Sequence, residues 1–547
     1  MVIFYHIRLL NFYEIKENHS FTIKQLKSFK FKDHLSILRL KTEDTAINNP
    51  IVDNGFISGE LSKLIPVSVK NLVLEINNQL VVGDIKEGLI SLKLGKKYDQ
   101  KLTPGLLPMD GSLIEFNSGR AFRNGDLELL PGSIPSSITS LTFGYSFNSV
   151  INENILPKGL LKLKLKGFNK LIIRNSLPTS LLDLELGRNY NRAISAYGTL
   201  PSSLTSLTLG QRFVHVIYTG TLPPTLKKLI IQSINYNQRF EKRSLPDALE
   251  HLEFHKNGFF NQPIGDKYLP PNLKTLILPR QWSNNLEPIL PQQIPIGVTN
   301  LQFHSNECSL FLRNDSIPLS VLNLRVNGIL SNHISYSKGC EKILKGSFIP
   351  PSVTQLETGT IVNLSHCINL KNFILDESFN QRSLTKDSIP LSVINFKLPA
   401  LWDRKLSVGI LPNSIKVLDL GSFNHEIEEN VLPQNLESLT MNSWDQPSIN
   451  KNIFPQSLTF LSIKSFNQRL TPSTLPKKLE ILILYKYNVL LIPNCFPNSI
   501  KLIKLGPIFE KKNILYPFNN NINIRFGKND LNLPIYPKNE NLLRCSV

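Results

Sequence analysis

One short motif, repeated at a nearly constant interval, limits what this chain can fold into. Residues 200–210 read LPSSLTSLTLG, and the proline that opens the motif returns along most of the 547 residues. From Pro135 it recurs at Pro157, Pro178, Pro201, Pro223, Pro246, Pro270, Pro295 and Pro318. It then resumes at Pro390, Pro412, Pro433, Pro455, Pro476 and Pro497, and most steps are 21 to 25 residues long. A fixed period of that size predicts a coil of stacked short units, each burying its core only against its neighbours.

With the proline at position 0, Leu204, Leu207 and Leu209 occupy +3, +6 and +8 of the unit that starts at Pro201. Residues two apart in an extended chain point to one side, so Leu207 and Leu209 face inward while Ser206 and Thr208 look away. Successive units run in the same direction, so their strands pair in parallel. The proline sets its own φ and holds the residue before it extended, which suits a corner ahead of the strand. The other half of the unit carries an aromatic followed by a small polar residue, as in Phe147-Asn148, Phe168-Asn169, Tyr190-Asn191, Phe423-Asn424 and Phe466-Asn467. Stacked rings predict a spine on the wide side of the coil. The Asn side chains are expected to bond backbone groups that have no ladder of their own.

The fullest form of that half-unit is Phe260-Asn261-Gln262-Pro263-Ile264. FNQPI set between copies of LPxSLxxLxLG resembles the FNIP repeat family, a relative of leucine-rich repeats, over roughly residues 32–506. Ile3 to Asn11 also resembles the segment that precedes the repeats in that family. The resemblance implies an interaction scaffold with a protein partner, and it carries over no catalytic, cofactor-binding or metal residue. The expected fold is mainly β: a leucine-rich-repeat-like β-solenoid of about twenty turns with a parallel sheet along one side. Residues 1–31 are expected to cap the first open end, 32–506 to form the repeats, and 507–547 to form a C-terminal cap and tail. The unit near Lys86 lacks its proline, and the one near Pro108 is shifted by about a residue. In the gap from Pro350 to Pro390, Cys367 takes the proline's place, with Leu370, Phe373 and Leu375 at +3, +6 and +8. The gap from Pro318 to Pro350 holds an extra loop, residues 327–347, whose simplest reading is a tolerated insertion.

A net charge of +19 raises the question of nucleic acid. At +7, mid-strand on the outward face, Lys93, Lys164, Arg325, Lys397 and Lys504 are matched by Glu115, Glu185, Glu253, Glu357 and Asp419. That balance leaves no basic stripe on the strand face, and phosphate binding needs clustered charge. Five cysteines at irregular spacing, without a CxxC pair, suggest neither a zinc site nor a disulfide framework. No apolar run reaches membrane-span length, and the N-terminus does not read as a secretory signal, so the expected location is cytoplasmic. Phosphate-loop, dinucleotide, metalloprotease and nucleophile-elbow motifs are all missing. His366 beside Cys367 and the adjacent Glu428 and Glu429 read as structural or solvated groups. The expectation is a non-enzyme.

One column departs from the pattern. Position +5 faces outward and is polar through most of the array, but in the last five units it reads Val417, Ser438, Phe460, Ile481 and Leu502. With Ile483 at +7 these form a candidate partner-binding strip, since a contiguous exposed apolar patch marks an interaction surface. The competing expectation is that the tail, with Ile514, Leu515, Phe518 and Leu533, folds back over it. Two further readings stand beside the binding scaffold: a rigid spacer or adaptor whose ends bind partners, and a sheet that binds RNA or anionic surfaces.

Overall fold

A computed structural model describes residues 20–29, 33, 35–41, 61–124, 128–195, 198–265, 268–282, 287–304, 312, 315–326, 349–359, 364–377, 379, 384–402, 404–444, 453–472, 474–515 and 522–527. The chain divides into two compact units, Met1–Pro279 and Arg280–Val547. The fold class is as expected: each unit is a β-solenoid with a parallel sheet. In the first, strands run from Phe21–Thr22 to Thr275–Leu278, and in the second from Asn300–Phe303 to Asn523–Phe526.

The register follows the repeat. Leu184, Leu207 and Leu229 are direct partners across three strands, and Glu185, Thr208 and Ile230 are partners beside them. Leu204, Leu207 and Leu209 are each fully buried. Thr208 does look outward, yet it keeps only 9% exposure because the larger side chains of Glu185 and Ile230 flank it.

Each letter of the motif has a physical task. The proline carbonyl accepts from the backbone N–H three residues on, as in Leu204 to Pro201 at 3.1 Å and Leu479 to Pro476 at 3.1 Å. The serine at +2 donates to the +3 carbonyl of the preceding turn: Ser203 to Leu181 at 2.7 Å, Ser320 to Val298 at 2.7 Å and Ser457 to Leu436 at 2.7 Å. Gly210 ends its strand so close to the turn before it that a Cβ there would lie 1.7 Å from the Gly187 carbonyl oxygen.

The other half of the turn is held by rings and amides. Tyr190 stacks on Phe168 at 6.2 Å and on Phe213 at 6.3 Å, and Tyr487 stacks on Phe466 at 5.9 Å and on Phe509 at 6.2 Å. Strands stack at about 4.8 Å, so within a unit the turns splay on the ring side and the sheet takes the inside of the bend. Beside the rings, Asn148 Oδ1 accepts from Asn169 N–H at 2.7 Å, and Asn169 Oδ1 from Asn191 N–H at 2.9 Å. Asn467 and Asn488 repeat this toward Asn488 and Glu510, at 2.8 and 2.9 Å.

The irregular turns also resolve. Cys367 does stand in for the proline, its carbonyl accepting from Leu370 N–H at 3.1 Å and from Ser392 Oγ at 3.1 Å, ahead of the strand Asn372–Leu375. Glu115 is a correction: it pairs with Ser91 and Ser140 and so belongs to the +5 column, Asn117 taking +7. The sheet also gains one strand after Gly506, because Asn523–Phe526 pairs in register with Leu502–Leu505. At the other end, the short strand Phe21–Thr22 pairs with Leu40 and Lys41, and the helix Ile23–Ser28 follows it. Thr22 and Gln25 close that helix's N-terminus with a capping box. The extra loop 327–347 lies outside the described residues.

Candidate partner-binding surfaces

The predicted strip exists as a register column. Val417, Ser438, Phe460, Ile481 and Leu502 are partners across five consecutive strands, with Ile483 beside them between Ser462 and Lys504. Val417, Phe460, Ile481, Ile483 and Leu502 are all half-buried, while Ser438 and Lys504 keep only 7% and 3% exposure. Of the tail residues expected to cover the strip, Ile514 is buried and bridges to Leu491, and Leu515 is 47% exposed. Phe518 and Leu533 lie outside the described residues.

A second apolar row, missed in reading the sequence, is far more open. Position +1 carries Ile296, Leu319, Pro351, Ile368 and Leu391 in five successive turns of the second unit. Ile296, Leu319, Ile368 and Leu391 are 79%, 72%, 71% and 82% exposed. A cavity of about 470 Å³ runs along this proline edge between Ile296 and Leu319, with Pro350 and His366 at its far end. The signal was available: +1 is Ser136, Lys158, Thr179, Ser202 and Asp247 in the first unit, where Val67, Pro224 and Pro271 interrupt the polar column singly, and Asn413, Gln434, Gln456, Lys477 and Asn498 after Leu391. It was missed because the motif fixes no residue type at +1.

Charges on the outward face are paired across turns. Lys164 reaches Glu185 at 2.9 Å, Arg325 reaches Glu357 at 3.0 Å and Lys397 reaches Asp419 at 3.6 Å, all at +7. Position +4 does the same with Lys274 and Glu250 at 2.7 Å and Lys416 and Glu437 at 2.8 Å. Burial pushes the Glu357 carboxyl up from its ordinary range against the pull of Arg325. Lys504 is the exception to the reading of solvated lysines, being buried in its column.

Cys367 and His366 are closer than adjacency alone required, with Sγ 3.4 Å from Nε2. The same Nε2 lies 2.8 Å from the Ile349 carbonyl oxygen, which only an N–H can satisfy, so the ring donates there rather than accepting a proton from the thiol. Burial pushes the Cys367 thiol up to about 11. Cys367 and Cys495 are both free and buried. Among the described residues no group of three or more His, Cys, Asp or Glu is placed to hold a metal ion, and no helix is long and apolar enough to cross a membrane.

Comparison with known proteins agrees with this geometry. The family model described as FNIP Repeat matches residues 127–167, 168–212, 196–234, 213–257, 236–281, 402–443 and 444–487. An FNIP repeat-containing protein of Dictyostelium discoideum is 30% identical over 151 residues, which are 27% of this chain and 24% of that protein. The chain thus spans about a quarter of the length of this curated relative. Among solved structures, CroV588, described as a novel circular LRR protein, superposes with a TM-score of 0.56 at 28% identity, covering 85% of this chain and 74% of its own.

Proposed function

From the premise that this is an FNIP repeat chain with a solenoid of the leucine-rich-repeat type, we propose that it is a non-catalytic scaffold that binds another protein. The observation that carries this reading is the row Ile296, Leu319, Ile368 and Leu391. Four large apolar side chains, each more than two-thirds exposed on successive or near-successive turns, cost solubility and do nothing for the core. Contiguous patches of that kind mark interaction surfaces. The half-buried strip of Val417, Phe460, Ile481, Ile483 and Leu502 is a second, less open surface for the same role. The free, buried thiols of Cys367 and Cys495 fit a reducing, cytoplasmic setting.

The test is an affinity capture comparing the intact chain with Leu319→Asp/Ile368→Asp and with Phe460→Asp/Ile481→Asp. Loss of one reproducible set of partners in the first variant, with an unchanged melting temperature, is the expected result. If both variants keep those partners and removal of residues 1–31 or 507–547 loses them, the chain is a spacer that binds by its ends.

A further inference from the structure

The first unit carries a groove whose chemistry differs from both apolar surfaces. It has a volume of about 610 Å³ and lies where the chain leaves the parallel strands, from the turn after Glu115–Asn117 to the turn after Lys228–Ile231. Four cations line it: Arg120, Lys166, Arg188 and Arg212. They come from four of five successive turns, with Tyr145 on the turn between Arg120 and Lys166. Tyr145, half exposed, sits among them with the Arg120 guanidinium 5.7 Å and the Lys166 ammonium 5.5 Å from its ring centroid.

The charge in the groove is uncompensated. Glu185 is its one acidic lining residue, and Lys164, outside the groove, already holds that carboxylate at 2.9 Å. Among the described residues none of the four cations has an ion-pair partner. This contrasts with +4 and +7, where lysines and arginines meet carboxylates of the next turn. Balance on the strand face therefore conceals an imbalance at its exit edge, where four like charges accept mutual repulsion.

We propose that this groove binds an extended acidic peptide segment. Four turn-to-turn steps at about 4.8 Å make the row of cations roughly 19 Å long, the reach of about six extended residues. Arginine heads suit carboxylates because their planar fork matches both oxygens. Asn189, Gln211 and Gln232 also line the groove, and each amide offers a donor and an acceptor to a peptide backbone. A single-stranded nucleic acid fits less well. Such ligands need a series of aromatic platforms, and the lone ring here, Tyr145, is already flanked by two cations. The inference goes beyond the scaffold reading and stands even if the apolar row binds nothing.

The experiment uses the full chain and a fluorescein-labelled, C-terminally amidated hexaglutamate, followed by fluorescence anisotropy at low and moderate salt. Arg188→Glu with Arg212→Glu is expected to weaken binding at least tenfold. Lys477→Glu with Lys478→Glu, the same charge change on exposed residues of the second unit, is expected to weaken it less than twofold. Circular dichroism verifies that both variants fold. Should the groove variant misfold, Arg188→Gln with Arg212→Gln is expected to show the same loss. Equal losses in the groove and control variants would mean diffuse attraction and overturn the proposal. Tighter binding of a hexauridylate through the same arginines would also overturn it and make nucleic acid the ligand.

Discussion

Leu207 and its neighbour Thr208 show how one peptide step separates core from surface. Leu207 is fully buried between Leu184 and Leu229, so Leu207→Ala is expected to cost about 2–5 kcal/mol in chemical denaturation. Thr208→Ala is expected to cost much less, though more than a free surface site, since Glu185 and Ile230 cover most of it. Equal costs would mean the faces are misassigned. Cys367 carries a pH prediction. Burial raises its folded pKa from the ordinary 9.0 to about 11, so folding favours the protonated thiol. Its contribution is complete below about pH 9 and is lost as pH rises through about 11. Native protein at pH 8 should therefore label slowly at Cys367, and denatured protein quickly. Comparable rates in the two states would contradict this burial.

At the scale of the element, the aromatic-asparagine bend does the work that a second sheet would otherwise do. Each Asn Oδ1 takes a backbone N–H from the following turn, satisfying a donor on a stretch without ladder bonds. Asn169→Ala removes the acceptor for Asn191 N–H and is expected to cost about 1–3 kcal/mol. Asn169→Asp keeps an oxygen in place and should recover most of that loss in thermal unfolding. An Asn169→Ala protein as stable as the parent would show that the contact contributes nothing. Much of this was legible beforehand, because Phe-Asn pairs recur in phase with the prolines. The role of Ser203 and its equivalents at +2 was not, because it depends on which carbonyl of the preceding turn comes within reach.

For the molecule as a whole, the open end of a solenoid is the point of weakness, since its last rung has core on one side only. In the first unit the strand Phe21–Thr22 and the helix Ile23–Ser28 stand at the rung formed by Ile37–Lys41, and Phe21 and Leu26 are buried. Deleting residues 1–29 should leave Leu38 and Leu40 partly uncovered, lowering the melting temperature by several degrees and promoting association. A deletion variant that associates no more than the parent chain and keeps its melting temperature would remove this segment from the cap.

The sequence by itself determined the repeat, its phase and its inward faces, since a proline period with leucines at +3, +6 and +8 has few other ways to bury them. It also placed Cys367 in a proline's position and set Val417, Phe460, Ile481 and Leu502 in one column, because register in stacked turns follows from counting. Tertiary structure decided what counting could not. Glu115 changed columns because the loop before it is irregular, and Asn523–Phe526 joined the sheet without the motif. Exposure was decided there too. Phe460 and Ile481 are half-covered, while Ile296 and Leu391 stand open, because solvent access depends on what neighbouring turns leave uncovered. The groove of Arg120, Lys166, Arg188 and Arg212 is of the same kind. These residues sit at slightly different offsets from their prolines, and only the fold brings them to one edge.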